Sequence, residues 1–453
     1  MSLKMKGIAL AVTALFFLSS LRGSEKQSPE LSMAPCDTLS SAEEASAGMR
    51  IGIYHAPSPL FLRQEDFDLI AAMGVDLLIV EHFTANFDLD PASALQQLDR
   101  AHAAGLKMAV HDPSLQHNLQ PATTAWNIQN VAQYIHHPAF YGVEVRDEPN
   151  ANEYPNIKTL YDKWREVFPA DKWFYINLFP NYANEQQLGS PDYRQYVRSY
   201  MEVVGTEYLS YDHYPLVEDG SVRSNYFANL DVVGAAAKDY SVPLHAIILT
   251  AGHLSYRDIT LKDLRWQVAC VMAFGARAIS HYNYQHKEPG HEEEYAQACI
   301  FEDSGAPTPL YYAVQAVNRE IKAWDRVYLR FQWEGVAPIR GSGGAANPML
   351  ATIVDSRIDP EAVEGIKTIL SDEDLLCGVF TDAKGNKGYM LVNASNPGSD
   401  TSASLTVEFD TKYTGVMLYE NGASKRVALD EAGKATLNLP SGEGKFLIPI
   451  LTK

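Results

Sequence analysis

The sequence predicts an α/β protein, a (β/α)8 TIM barrel followed by a C-terminal all-β sandwich domain. From Met49 onward, eight apolar runs of strand length alternate with segments of helical period over about 280 residues, which is the size of one barrel. After residue 326 the hydrophobic pattern changes to a period of two, with turn signals such as Asn-Pro-Gly and Asn-Gly between the runs.

The barrel strands are predicted from short apolar runs that are rich in β-branched and aromatic residues. Gly74 and Gly105, which are typical of helix ends, precede the second and third runs. A doubly wound open sheet would favour a glycine-rich loop after the first strand, but His55–Pro59 contains no glycine. The eight predicted strands are Arg50–Tyr54, Val75–Glu81, Lys107–His111, Phe140–Arg146, Trp173–Asn177, Tyr208–Tyr211, Leu244–Leu249 and Ala278–Tyr282.

Amphipathic segments between these strands predict helices. They include Pro91–Ala104, Ala122–His136, Asn156–Val167 and Leu261–Phe274, with Pro309–Trp324 as the closing helix. The predicted strands of the second domain are Val327–Trp333, Cys377–Thr381, Gly388–Asn393, Ala403–Phe409, Gly415–Tyr419 and Lys445–Ile450.

The N-terminal region predicts export. Lys4 and Lys6 precede the apolar run Ile8–Leu18, which has the length of a signal peptide and is too short to span a bilayer. We therefore predict a signal peptide at 1–23, a flexible lead-in at 24–48, a barrel domain at 49–326 and a β-sandwich domain at 327–453. The mature protein is expected to be periplasmic or extracellular, with no membrane span.

Charge and cysteine usage exclude some classes of protein. A formal net charge of −19 argues against a nucleic-acid partner, because phosphate binding needs clustered Lys and Arg. The four cysteines show no metal-type spacing, and we expect most of them to be buried thiols. The 25 tyrosines suit a packed core, and they equally suit stacking against sugar rings.

The strand ends carry the candidate chemistry, because barrel enzymes place their active sites at the C-terminal ends of the strands. The fourth predicted strand runs directly into Asp147 and Glu148 before Pro149. Cleavage of a glycosidic bond needs one carboxylic acid to protonate the leaving oxygen and a second carboxylate to attack or to activate water. Glu148 is the predicted acid, and capping of the next helix is the alternative role for this acidic pair.

The second carboxylate is predicted to be Asp212, in the run Tyr211-Asp-His-Tyr-Pro215 at the end of strand six, with Glu81 in reserve and Asp112 after it. A separation of about 5 Å from Glu148 would suit retention and about 6.5–9.5 Å would suit inversion. Asp147 is expected to point away from Glu148 along the strand, and to bind a sugar hydroxyl or to pair with Arg146 or a neighbouring His.

An oligo- or polysaccharide is the expected substrate, and no cofactor is expected. The predicted sugar-binding residues are polar or aromatic residues at strand ends: Tyr54, Glu81, His111, Asp147, Asn177, Tyr214, His281 and Tyr282.

Histidines at the strand ends leave a metal-dependent hydrolase open as an alternative. His55, His82, His111, His213, His253 and His281 could converge with Asp112 or Asp212. Barrels of the amidohydrolase type show His-x-His after strand one, whereas strand one here ends in Tyr54-His55.

Several motifs resemble those of the large clan of (β/α)8 glycoside hydrolases that includes β-galactosidases and cellulases, and of secreted bacterial barrel proteins. They are Asp147-Glu-Pro149, Asp212-His-Tyr-Pro215, Arg265–Gln267, Ala273–Ile279, Tyr282–Tyr284, Leu391–Ser395 and Gly442–Lys445. The resemblance implies an acid role for Glu148. Two features depart from the clan, which has Asn where this chain has Asp147 and a nucleophilic Glu at the end of strand seven, where Leu249-Thr-Ala-Gly-His253 contains no acid. A carbohydrate-binding barrel without turnover therefore stays open as an alternative.

Overall fold

The computed structural model describes residues 48–54, 56–57, 61–80, 91–111, 134–284, 299–302, 304–344 and 346–452. The predicted signal peptide and lead-in, and residues 122–133 of a predicted helix, lie outside the described residues. None of the helices within the described ranges combines the length and the apolar character that crossing a membrane requires.

Eight parallel strands form the barrel, in the order β5-β4-β3-β2-β1-β8-β7-β6. The ring closes between β5 and β6, where Leu178 N–H donates to the Ser210 carbonyl at 2.9 Å. The (β/α)8 prediction is therefore confirmed, and the C-terminal ends of all eight strands face one mouth. The strands are β1 Arg50–Tyr54, β2 Leu77–Ile79, β3 Lys107–His111, β4 Phe140–Asp147, β5 Trp173–Asn177, β6 Leu209–Asp212, β7 Leu244–Leu249 and β8 Ala276–Tyr282.

The helices cover the outside of the barrel, most of them through one apolar face, whereas Tyr226–Asp239 and Leu261–Ala273 are buried on nearly all sides. In the helix Tyr154–Val167, for example, Ile157, Leu160, Tyr161 and Trp164 recur at helical spacing and are buried. The described helices are α1 Gln64–Ala72, α2 Pro91–Ala103, α3 Tyr154–Val167, α4 Glu185–Leu188, α5 Tyr193–Val203, α6 Tyr226–Asp239, α7 Leu261–Ala273, α8 Pro309–Lys322 and α9 Asp325–Tyr328.

Two antiparallel sheets form the C-terminal sandwich, one in the order β10-β13-β16 and the other in the order β15-β14-β17-β12-β11-β9. The predicted strand Val327–Trp333 was wrong at its start, because α9 occupies Asp325–Tyr328 and the strand begins at Phe331. The strands are β9 Phe331–Ile339, β10 Ile366–Ser371, β11 Leu375–Asp382, β12 Lys387–Asn393, β13 Ala403–Phe409, β14 Tyr413–Glu420, β15 Ala423–Ala428, β16 Lys434–Leu439 and β17 Gly444–Leu451.

The six-stranded sheet packs against the barrel through α7. The Trp266 indole N–H donates to the Asn393 carbonyl at 3.1 Å, and the Trp333 indole N–H donates to the Ala273 carbonyl at 2.8 Å. A Cβ atom at Gly378 would lie 2.4 Å from the Ala273 oxygen, so only glycine allows this approach. The three cysteines in the described ranges are buried free thiols.

Candidate active site

Polar side chains from four strand ends converge inside the C-terminal mouth of the barrel. Tyr54 ends β1, Asp147 ends β4, Asn177 ends β5 and Asp212 ends β6. Each belongs to the set that the sequence predicted for this mouth, and hydrogen bonds connect them as described below.

Asp147 lies inside the barrel. The Tyr54 hydroxyl donates to Asp147 Oδ1 at 3.3 Å. Burial, and after it the negative charge of Glu144, raise the pKa of Asp147 to about 7, against the lowering effect of hydrogen bonds from Asn177 and Tyr54. This carboxyl group therefore holds a proton up to near-neutral pH.

Asp212 is 5% exposed and accepts a hydrogen bond from Asn177 Nδ2 at 2.8 Å. The pKa of Asp212 is raised to about 8, mainly by burial and next by the negative charge of Asp147. Two acids that disfavour each other's ionisation in one buried space retain one proton between them over a range of pH.

The Asn177 amide is fixed in orientation. Ser210 Oγ donates to Asn177 Oδ1 at 3.0 Å, and the Tyr175 hydroxyl lies 3.1 Å from the same Ser210 oxygen. The amide NH2 group therefore faces the acids and hydrogen-bonds both Asp147 and Asp212. The two acids therefore lie on the same side of the Asn177 amide.

Glu148 follows at the rim of the mouth, where it is partly exposed. Its φ of 46° lies in the left-handed region, and its N–H donates to the Asn177 carbonyl at 2.8 Å. A non-glycine residue in this region costs on the order of 1–3 kcal/mol, and such residues are concentrated at functional sites.

The charges of Glu148 and Asp212 act on one side chain. Burial is the main cause of the raised pKa of Tyr182, and the negative charges of Asp212 and, more weakly, of Glu148 add to it. Both predicted catalytic carboxylates therefore lie around the same part of the mouth.

Asp147 was expected to belong to the sugar-binding set and to point away from Glu148. The register of β4 against β5 shifts between Glu144 and Arg146, the strand ends at Asp147, and Glu148 follows in the left-handed region. The charge of Asp147 acts on Asp212, while Arg146 pairs with Glu153 at 3.3 Å.

Helix capping does not explain the acidic pair. The N-cap of the 3₁₀ turn Ala151–Glu153 is Asn150, whose side chain accepts from the Asn152 N–H. Glu153 completes the capping box by accepting from the Asn150 N–H at 2.9 Å. Neither Asp147 nor Glu148 caps this turn.

An aromatic wall borders the acids. The rings of Tyr214 and Tyr282 are stacked with their centroids 5.2 Å apart, and Tyr54 lies 6.2 Å from Tyr282. His253 lies between the tyrosines, 5.7 Å from Tyr214 and 5.3 Å from Tyr282. Tyr54, Tyr214 and Tyr282 were all predicted as lining residues, and the structure brings them together.

Three further side chains at the mouth were absent from the sequence-based set. Arg223 lies over the ring of Tyr182 at 4.4 Å and over that of Tyr256 at 5.3 Å. Its Nε donates to the Tyr214 carbonyl at 3.1 Å. All three residues lie in loops after strand ends, where no hydrophobic period marks them.

Some predicted residues do not join this group. His281 is fully buried and lies 3.0 Å from Thr250 Oγ1 and 2.9 Å from Asn318 Oδ1 of α8, on the opposite face of β8 from Tyr282. Its predicted contact with a sugar was therefore wrong. Residue Glu81 and the side chain of His111 lie outside the described residues.

The histidines bear on the metal alternative only in part, because His55, His82 and Asp112 are not described. Within the described ranges, no group of three His, Cys, Asp or Glu side chains could hold a metal ion. Burial lowers the pKa of His213 to about 3, so this ring is neutral, and it packs 5.0 Å from both Tyr182 and Tyr226.

The fold and the mouth place the protein in the class of (β/α)8 barrels with carboxylates at the C-terminal strand ends. Neither a protein-family model nor a curated protein sequence matches the chain.

Several solved structures are similar in fold. A protein assigned as an α-galactosidase, from Bacteroides fragilis, superposes with a TM-score of 0.50 at 11% identity, over 90% of this chain and 80% of that one. A β-galactosidase from Bacillus circulans sp. alkalophilus superposes with a TM-score of 0.49 at 9% identity, over 89% of this chain and 99% of that one.

A β-galactosidase from the haloarchaeon Halorubrum lacusprofundi gives a TM-score of 0.44 at 12% identity, over 60% of this chain, and this chain spans only 58% of that protein's length. At 11% identity and a TM-score of 0.50, the similarity to the Bacteroides fragilis protein shows a shared fold alone.

Proposed function

We propose that the protein is a glycoside hydrolase that cleaves an oligo- or polysaccharide at the C-terminal mouth of the barrel. The observation that carries the proposal is the pair of Asp147 and Asp212, which share the Asn177 amide and have raised pKa values beside an aromatic wall. Hydrolysis of a glycosidic bond requires a carboxylic acid that protonates the leaving oxygen and an ionised carboxylate, so carboxyl groups whose ionisation is tuned beside ring faces are the groups that such a site needs.

Glu148 is the proposed proton donor to the leaving oxygen. It stands at the rim, where a leaving group departs toward solvent, and its left-handed backbone directs it separately from Asp147. Asp212 is the proposed second carboxylate, which attacks the anomeric carbon or activates water once it is ionised.

Asp147 positions and tunes Asp212. Its charge is the second cause of the raised pKa of Asp212, and both carboxyl groups hold the same amide. Tyr54 and Asn177 support this pair, and Tyr214 and Tyr282 offer ring faces against which the apolar face of a sugar can stack.

A panel of nitrophenyl glycosides and plant, host and microbial polysaccharides tests the proposal. The wild type should hydrolyse at least one member, whereas Glu148→Gln and Asp212→Asn should each reduce kcat/KM by about 10³-fold or more. Asp239→Asn, an exposed acid of α6 that pairs with Arg198, is the matched control and should leave the rate unchanged.

A carbohydrate-binding barrel without turnover is the second candidate. It is favoured by the end of β7, where Thr250 hydrogen-bonds His281 and no carboxylate is present. Binding of a panel glycan with equal affinity by the wild type and Glu148→Gln, with no product released by either, would establish this candidate and refute the hydrolase.

Export is part of the proposal and rests on the sequence features of residues 1–23. When the full-length sequence is expressed, export predicts the processed protein outside the cytoplasm. Deletion of Lys4, Lys6 and the run Ile8–Leu18 should retain the protein inside. Retention of the unaltered chain in the cytoplasm would contradict it.

A further inference from the structure

A second cavity lies at the opposite, N-terminal end of the barrel strands. It has a volume of about 490 Å³ and is lined by Arg50 of β1, Lys107 of β3, Tyr141 of β4 and Trp173 of β5, among others. This volume falls within the range of about 300–1,000 Å³ that is typical of small-molecule sites. The N-terminal face of such barrels is generally a face of stability rather than chemistry, so catalysis does not account for the cavity.

Basic side chains outnumber acidic side chains in the lining. The four cationic residues are Arg50, Lys107, Lys172 and Arg277, and the two acidic residues are Asp171 and Glu207. Both acids have a cationic partner, because Glu207 pairs with Arg165, which does not line the cavity, and Asp171 lies 3.7 Å from Lys172. In a protein with a net charge of −19, a local excess of positive charge stands out from the general surface.

Two of the cations, Lys107 and Arg50, form no ion pair among the described residues, although the charge of Asp171 acts on Lys107. Lys107 Nζ donates to the Pro138 carbonyl at 2.6 Å and is in no described ion pair. The Arg50 guanidinium lies 4.9 Å over the Tyr141 ring and makes no described hydrogen bond or ion pair. Arg50 therefore keeps its planar fork of N–H donors available, which is the geometry that binds carboxylate or phosphate with two parallel hydrogen bonds.

The ammonium groups also repel one another. Burial is the main cause of a lowered pKa for Lys107, and the positive charges of Lys172 and Arg50 lower it further. Lys172 Nζ is held by the Phe140 carbonyl at 2.9 Å. A bound anion would relieve this repulsion, because it would add negative charge to that of Asp171, which acts on Lys107 and lies 3.7 Å from Lys172.

Flat aromatic surface lies beside the cations. Trp173 stacks on Tyr208 with ring centroids 4.6 Å apart and an angle of 19°, and Tyr141 lies 4.8 Å from Trp173. Trp173 and Tyr141 are both partly exposed. A planar or ring-shaped body could therefore stack here while its charged group reached Arg50 and Lys107.

We propose that this cavity, the N-terminal pocket, binds a small organic anion whose carboxylate or phosphate is held by Arg50 and Lys107 and whose flat ring rests against Trp173 and Tyr141. The site is separate from the C-terminal mouth, so the proposal stands or falls independently of glycan hydrolysis.

Calorimetric titration of the full-length protein at low salt with benzoate, glucuronate and inorganic phosphate tests the proposal. The first two probes distinguish an aromatic from a sugar carboxylate, and the third gives the contribution of the anionic group alone. We expect saturable binding of at least one ring-bearing probe, tighter than that of phosphate, with an affinity that falls as salt increases.

Variants locate the binding. Arg50→Gln and Lys107→Gln should each lower the affinity for the bound probe at least about tenfold, equivalent to about 1.4 kcal/mol of binding free energy. Two control variants should bind the probe with the wild-type affinity. Arg198→Gln replaces an arginine that pairs with Asp239 outside the cavity, and Glu148→Gln lies at the C-terminal mouth. Thermal unfolding of each variant checks folding, and the second cation substitution serves if one variant fails to fold.

Absence of saturable binding of all three probes to the wild type up to about 10 mM would overturn the proposal. Binding that both cation variants leave unchanged, or that Glu148→Gln abolishes, would equally overturn it, because the anion would then lie elsewhere.

Discussion

The substitution Asp147→Asn separates the two acids of the mouth. It preserves the shape of the side chain and removes the charge that helps to raise the pKa of Asp212 to about 8. Two unit charges about 6 Å apart at an effective dielectric constant of about 20 interact by about 2–3 kcal/mol, which corresponds to about two pH units in the ionisation of Asp212.

The assay is the pH dependence of kcat/KM for a glycoside that the wild type cleaves. Because the proposed second carboxylate acts when ionised, the acidic limb of the wild-type profile should lie near pH 8 and should move to lower pH by about one to two units in Asp147→Asn. Asp239→Asn provides the matched control and should keep the wild-type limb.

An acidic limb that stays in place or moves to higher pH in Asp147→Asn would refute the coupling of the two acids. Carbon-13 NMR of labelled Asp carboxyl groups gives the same titration without turnover, so the prediction can be tested even if the variant is slow.

Three further predictions follow from the contacts of single side chains. The folded chain keeps the proton of Asp212 up to about pH 8 and the unfolded chain loses it near pH 4, so the stability of the fold decreases as pH rises from 4 to 8. Asp212→Asn should therefore raise the Tm by a few degrees at pH 8 and leave it nearly unchanged below about pH 4. An equal change in Tm at both pH values would contradict this prediction. Tyr54→Phe removes a hydrogen bond that lowers the pKa of Asp147. In a carbon-13 NMR titration, the pKa of the Asp147 carboxyl group should therefore rise by less than about one unit relative to the wild type. An unchanged or lower pKa would contradict the hydrogen bond between Tyr54 and Asp147. Asp231→Ala removes the buried carboxylate that accepts hydrogen bonds from the N–H groups of residues 354–356. The free energy of unfolding, measured with denaturant, should decrease by about 3 kcal/mol or more, while the pH dependence of kcat/KM stays unaltered. A decrease below about 1 kcal/mol would show that those N–H groups find other partners.

The barrel was predictable because its strands are continuous apolar runs, and because glycines and amphipathic helices separate them. Three strands of the sandwich, β10, β15 and β16, were not predicted. In β15 nearly every residue is exposed, and no apolar run distinguishes it from a loop. Strand pattern reports burial, and an exposed edge strand therefore carries little signal.

The candidate site was predictable only in part. The acids at the ends of β4 and β6 could be read from their position after apolar runs. The contacts of Asp147 with Tyr54 and Asn177 could not, because a register shift between Glu144 and Arg146 interrupts the alternation along β4. His281, by contrast, is placed on the outer face by the same alternation that points Tyr282 inward. Arg223 and Tyr256 reach the mouth through loops whose course the sequence does not specify.

Initial rates of glycan hydrolysis by the wild type and Asp212→Asn, measured side by side over the substrate panel at pH 8, test the central claim most directly. We expect the wild type to release reducing ends from at least one member of the panel. The rate should be lower by about 10³-fold or more in a folded Asp212→Asn protein. Equal rates in the two proteins, or no release from any member of the panel by the wild type, would show that the acids at this mouth do not cleave glycosidic bonds.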